Sequence, residues 1–326
     1  MTLEKLLEHI HSRHILTASA LVLLCIVGGE WLSGATQPVE GYRGLLFPSA
    51  NHWFKPGVVS TTLNLLLIFF SALMAQAINK RFNVMRSITG LWGALFLVMA
   101  GALINLTNSF NGSTILVATM LIVTWLLYSC YDNSERRRRI FLIFFLLALG
   151  GTFQYAFLLY VPVVVLGMVQ MKVLNLHTIV AALLGLITPP WIIIGGGIVD
   201  PADIKMPTLI ATWAVDLSTD KLLTLVTLGM IALLGIGFYL GNFLKLLSYN
   251  ARNRAFNGFQ TLLLFSTIVL ALVDYTNLAL YSLLLAMESA YQIAHFFTIR
   301  RLPQSSIVIL AIFALFIIFA LSTILA

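Results

Sequence analysis

Ser134-Glu135-Arg136-Arg137-Arg138-Arg139 leads directly into an unbroken apolar run from Ile140 to Val169. Four consecutive arginines do not enter a lipid interior, whereas the run after them belongs there. As one helix, Ile140 to Gln170 would measure about 46 Å, against about 30 Å of bilayer hydrocarbon. Gly150-Gly151-Thr152 interrupts the run in its middle, and Gln154 adds a polar side chain. Each half is then about 22 Å long, enough for a short or tilted hairpin.

The basic residues choose between one crossing and two. With two, the N-terminus and the segments 80–86, 132–139, 171–177, 242–256 and 297–303 share one side of the membrane. All but four of the 19 Lys and Arg residues lie there; Arg43, Lys55, Lys205 and Lys221 are the exceptions. With one crossing, the basic loops 242–256 and 297–303 change sides. Basic loops stay cytoplasmic, so two crossings are expected, with Arg136, Arg137, Arg138 and Arg139 as the strongest topology determinants.

The remainder of the chain has the same character. Hydrophobic residues make up 60% and charged residues 10%, well below the usual share of charge in soluble domains. Alternating amphipathic strands, the mark of an outer-membrane barrel, are absent. The net charge of +7 sits in short loops and reports topology, so no nucleic-acid partner is expected. Cys25 and Cys130 lie in apolar segments and read as buried, unpaired thiols.

Residues 1–13 alternate apolar and charged faces and read as an interfacial helix. His9, His11 and His14 lack a carboxylate or thiol to complete a metal site, so no metal is expected. Ile15 to Val27 is extended by Gly28 to Leu32 into an uncleaved first span, despite the cleavage-like Ser33-Gly34-Ala35. Further spans are expected at Val58 to Ala77, Ser87 to Ile104, Thr114 to Tyr131, the hairpin, His177 to Gly195, Leu222 to Gly241, Phe256 to Val273, Thr276 to Phe296 and Pro303 to Leu325. Pro189-Pro190 is expected to kink or end its helix. The expected fold is a single all-α domain over 1–326. It is a bundle of about 11 transmembrane helices, with the N-terminus cytoplasmic, the C-terminus outside, and long outer loops at 30–57 and 196–221. Trp31, Trp53, Trp191 and Trp213 would form an outer aromatic belt, and Trp92 and Trp125 an inner one. The sequons at Asn105 and Asn111 read as turn chemistry. No internal repeat of the transporter type is visible.

Several stretches carry a resemblance. They are Asn79-Lys80-Arg81-Phe82-Asn83 before Arg86-Ser87, the arginine turn before Ile140-Phe141-Leu142, Tyr160-Val161-Pro162, and Leu184-Gly185-Leu186-Ile187-Thr188-Pro189. Together they resemble a family of uncharacterised bacterial multi-pass inner-membrane proteins of about this length. That resemblance implies a bacterial cytoplasmic-membrane location and transfers no catalytic residue. Some members carry a carotenoid-oxygenase label, which implies an iron site built from several histidines. Of the six histidines here, only His295 lies clearly within a span, so neither such a site nor any other cofactor is expected.

Two constellations remain. Glu288 is the one acid deep in a predicted span, and Tyr281, Glu288, Gln292 and His295 share a helical face. An intramembrane carboxyl is costly and often marks an ion or proton path; alternatively it bonds to Gln292 or another helix and ties the bundle together. Glu30 follows the first span, with Glu40 ten residues on. Multi-spanning glycosyltransferases that use lipid-linked sugars place a catalytic acid similarly, but their paired acids are absent here. Asp200, Asp203, Asp216 and Asp220 are not spaced as a calcium loop, and Asp200-Pro201 reads as a turn. Nucleotide-binding loops and nucleophile elbows are missing.

Three functions follow. An envelope-associated scaffold or accessory subunit, with the lipid bilayer and envelope-complex proteins as partners, is preferred because no site converges. A small-molecule or lipid transporter would use Glu288. A glycosyltransferase-like enzyme would use Glu30 or Glu40. On the scaffold reading those two acids point to water.

Overall fold

The computed structural model describes residues 14–33, 44–85, 90–133, 136–200, 202, 204, 219–246, 248–299 and 305–325. The expected interfacial helix 1–13, Glu40, Arg43, Lys205, Trp213 and most of the loop 196–221 lie outside them. Among the described residues every regular element is helical. The α-helices are α1 (His14–Ser33), α2 (Val58–Phe82), α3 (Leu91–Ala102), α4 (Ile104–Thr107), α5 (Gly112–Tyr128), α6 (Arg137–Phe153), α7 (Ala156–Leu159), α8 (Val161–Gln170), α9 (Leu176–Gly195), α10 (Thr219–Leu246), α11 (Ala251–Val273), α12 (Leu278–Ile299) and α13 (Ser305–Leu325). Six of them are long and apolar enough to cross a membrane: α1, α2, α9, α10, α11 and α13.

The stretch after the arginines folds back on itself. Helix α6 ends at Phe153, and Gln154 turns the chain with an extended backbone. The glycine pair makes the turn possible. A Cβ on Gly150 would stand 2.2 Å from the Phe157 ring, and one on Gly151 would stand 2.6 Å from Leu158. Helices α7 and α8 then return. The Asp132 amide, just before the arginines, donates to the Met171 carbonyl just after α8, at 3.0 Å. The two ends of the run therefore meet at one end of the bundle.

That end also gathers Phe82, Trp125, Tyr128 and Phe256. The Phe82 ring lies 5.3 Å from Trp125 and 5.9 Å from Phe256. Arg252 stacks over Phe256 at 5.2 Å. Lys80, Arg81, Arg136 to Arg139, Lys172, Arg252 and Arg254 consequently belong to one basic end. The opposite end is sewn by polar backbone contacts. Leu46 and Phe47 amides donate to Thr152 carbonyl oxygen at 2.9 Å. Ser49 donates to Gln154 at 2.9 Å, and the Gly112 amide donates to Asn51 at 2.8 Å. Asn111 caps α5 by accepting from the Thr114 amide, so its sequon does act as turn chemistry.

Helices α3 and α12 form the axis. All of Leu91 to Ala102 is buried, as is Leu280 to His295. Helix α12 packs against α3, α5, α10 and α11, and α3 against α1, α2, α12 and α13. Trp92 links the two, its indole N–H donating to the Met287 carbonyl at 3.1 Å. This corrects the expected inner-belt position of Trp92: it is fully buried, because its face of α3 turns toward α12. Trp31, Trp53 and Trp191 are exposed.

Helix α9 lies mainly on α6 and leaves Leu184, Ile187 and Trp191 exposed. Pro189-Pro190 does not end the helix: both prolines sit inside α9, which runs on to Gly195. In an apolar setting the remaining backbone groups have no water to turn to, so the helix persists. Gly185 lets α9 approach closely, as a Cβ there would stand 2.4 Å from the Phe141 carbonyl oxygen. Gly185→Ala is therefore expected to push the two helices apart and cost about 1–3 kcal/mol. Thermal unfolding in detergent checks this, and an unchanged midpoint refutes it.

Cys130 is buried as expected, but Cys25 is exposed. Ser19, Leu23, Ile26, Val27 and Glu30 form the inward face of α1, and Cys25 falls on the opposite one.

Candidate functional site

The site grows out of α12. Its sequence places Tyr281, Ser282, Glu288, Ser289, Tyr291, Gln292 and His295 on a helix that is enclosed on every side, and all seven are buried. From Tyr281 to His295 the helix rises about 21 Å.

At the end opposite the arginines, Asp274 terminates α11 and turns the chain into α12. It is only 3% exposed. Its Oδ2 accepts from the Tyr155 and Tyr281 hydroxyls, each at 2.7 Å. The Asn277 amide donates to Oδ1 at 3.0 Å and also to the Tyr155 hydroxyl. Tyr155 comes from the hairpin turn, so this cage fastens the hairpin to the central helix. Next along the axis, the Tyr160 and Thr267 hydroxyls share a hydrogen bond of 3.0 Å, and the Tyr160 and Tyr281 rings lie 6.5 Å apart.

Glu288 occupies the middle, 2% exposed. The hydroxyls of Tyr128, Tyr160 and Tyr291 all lie within its electrostatic reach, and Gln260 from α11 lies beside Tyr128. The polar atoms here outnumber their partners. Glu288 Oε2, Ser289 Oγ and Gln292 Nε2 are buried without a hydrogen-bond partner among the described residues. Glu288 Oε2 and Gln292 Nε2 do not bond each other, so the Gln292 half of the alternative tie is not formed at these atoms. Gln292 instead uses its backbone carbonyl, which accepts from Asn242 at 3.1 Å. Toward the basic end, the Tyr291 hydroxyl donates to Asn257, and the Tyr291 and His295 rings stack at 5.7 Å. Tyr249 closes the series against His295 at 5.9 Å.

Tyr281, Glu288, Gln292 and His295 thus lie along one buried polar file. The sequence reading missed Asp274, Tyr155, Tyr160, Tyr128 and Gln260. Asp274 left one signal: its expected spans, Phe256 to Val273 and Thr276 to Phe296, leave only two residues between them. A connection that short cannot lift a carboxylate into water.

Glu30 corrects an expectation. It is 4% exposed and lies beside Asn108, so it does not point to water. Helix α1 continues through Gly28 and Gly29 to Ser33, and the spacing from Leu23 and Val27 carries Glu30 onto the inward face. Of the outer bases, Lys55 is exposed, and Arg43 and Lys205 lie outside the described residues. Glu40 lies outside the described residues. In the polar loop at 200, the Ala202 amide donates to Asp200 Oδ1 at 2.9 Å, the turn expected there.

No family model, curated protein or solved structure matches this chain. The site therefore rests on its own chemistry.

Proposed function

We propose that the chain is a transport protein of the bacterial inner membrane, in which the α12 file carries a coupling proton and Glu288 is its central carrier. The observation behind this reading is the group of unpartnered polar atoms around Glu288. Each buried polar group without a partner costs about 1–3 kcal/mol, and hydrocarbon offers no water to relieve it. A cluster of such groups between Glu288 and Gln292, within a longer buried file of hydrogen-bonded hydroxyls, is what a proton or small-solute path needs. The scaffold reading was preferred on the ground that no site converges, and the convergence along α12 removes that ground. The enzyme reading keeps Glu30 as a buried carboxylate beside Asn108, while Arg43 and Lys205, two of the bases it would need, lie outside the described residues. The envelope partner proteins expected from the sequence remain compatible with a transporter.

The proposed topology has eleven crossings, with the basic end cytoplasmic, the N-terminus inside and the C-terminus outside. The shared end of Asp132 and Met171 supports the hairpin, and the concentration of Lys and Arg there supports the orientation. In a cysteine-free background, Asn133→Cys and Leu174→Cys should both resist an impermeant maleimide in intact cells and react after permeabilisation. Labelling of only one of the pair from outside removes the hairpin.

The functional test is proton flux in vesicles containing the purified protein, trapped pH dye and an imposed potential. Wild type should acidify or alkalinise the lumen faster than empty vesicles. Flux no faster than in empty vesicles refutes the proposal.

A further inference from the structure

The arginine cluster has a shape as well as a charge. Arg136 precedes the first turn of α6, which Arg137 to Arg139 begin. Guanidinium Nη1 atoms of both Arg136 and Arg139 donate to the Ser129 carbonyl, the latter at 3.1 Å. These bonds fold two side chains over the turn that follows α5. That turn is itself pinned to the end of α8 by the Asp132–Met171 bond. The result is a concavity of about 400 Å³ lined by Arg136, Arg137, Arg138 and Arg139. Lys172 stands exposed just past Met171.

Four guanidinium groups around one hollow, at the positive end of a helix dipole, favour an anion there. Guanidinium forks match the paired oxygens of a phosphate better than any other common anion. The hollow also opens beside hydrocarbon. Ile140 begins the apolar part of α6, and Leu142 and Leu149, seven residues apart on one face, are each 40% exposed. A free phosphate has no use for that apolar strip, whereas an acyl chain does. We propose that the Arg136–Arg139 concavity binds the headgroup phosphate of an anionic phospholipid, with an acyl chain lying along Leu142 and Leu149.

Native mass spectrometry of the whole protein, released from detergent with phosphatidylglycerol or phosphatidylcholine added, tests this. Wild type should retain phosphatidylglycerol at least roughly tenfold over phosphatidylcholine, and R137Q/R138Q should lose most of that preference. A variant with all four arginines replaced by lysine keeps the charge that orients the chain but cannot fork. Should R137Q/R138Q not fold, this variant carries the test, and its preference should fall severalfold. Equal retention of the two lipids by wild type overturns the site, as does an unchanged preference in the variant measured. Retention of added inorganic phosphate with no preference between lipids overturns the lipid assignment.

Discussion

Asp274→Ala should destabilise the folded protein by about 3–5 kcal/mol, because it strands three buried donors at once. The Tyr155 and Tyr281 hydroxyls and the Asn277 amide all point at this carboxylate, and the site excludes water that could replace it. Asp274→Asn keeps one acceptor oxygen and the same shape, so its cost should be nearer to 1 kcal/mol. Tyr155→Phe removes both its donation to Asp274 and its acceptance from Asn277 and should cost about 1–2 kcal/mol. Reversible unfolding in mixed micelles measures all three. The cage is not a stabilising unit if Asp274→Ala unfolds within 1 kcal/mol of wild type. Because Tyr155 belongs to the hairpin turn, the loss should appear first as protease sensitivity between α6 and α8.

Glu288 should behave in the opposite way. Its Oε2 has no partner, so Glu288→Leu removes a buried polar atom and gives up no hydrogen bond. Stability should stay within about 1 kcal/mol of wild type or rise, as replacement of an unsatisfied functional group commonly allows. Proton flux in vesicles should nevertheless fall by at least roughly tenfold in both Glu288→Leu and Glu288→Gln, since neither can take up and release a proton. Glu288→Asp keeps the carboxyl but shortens its reach, and should retain part of the flux. A large stability loss in Glu288→Leu with flux intact in Glu288→Gln would make the carboxyl a structural tie. The pair of measurements separates a working carboxyl from a structural one, which neither gives alone.

These two acids also mark how far the chain could be read before its fold was seen. Glu288 stood out because a charge in the middle of an apolar run is conspicuous in one dimension. Asp274 did not, because it falls at a boundary between two runs, where acids ordinarily meet water. Only the two-residue spacing hinted otherwise. Glu30 was misread for a related reason. A carboxylate at the end of an apolar run looks like the start of a loop. Tertiary packing of α1 against α3 kept the helix going.

Hydropathy, segment length and the placement of basic residues are local properties, set by the free energy of moving each segment into lipid. They were therefore legible in the chain alone. The helical segments, the hairpin after the arginines, the turn at Gly150 to Gln154 and the gathering of cations at one end all follow from them. Which face of each helix turns inward does not. In water, an apolar stripe identifies the buried face; in a bilayer, lipid and protein are almost equally apolar, so the stripe disappears. Leu91 to Ala102 differs little in composition from the exposed Leu176 to Gly195, yet it belongs to the axis while α9 stands at the edge. Only the packing decided that Trp92 reaches Met287, that Gln260 reaches Tyr128, and that Tyr155 closes over Asp274. Close helix contacts and scarce polar partners select those pairs, and both depend on residues far apart in the chain.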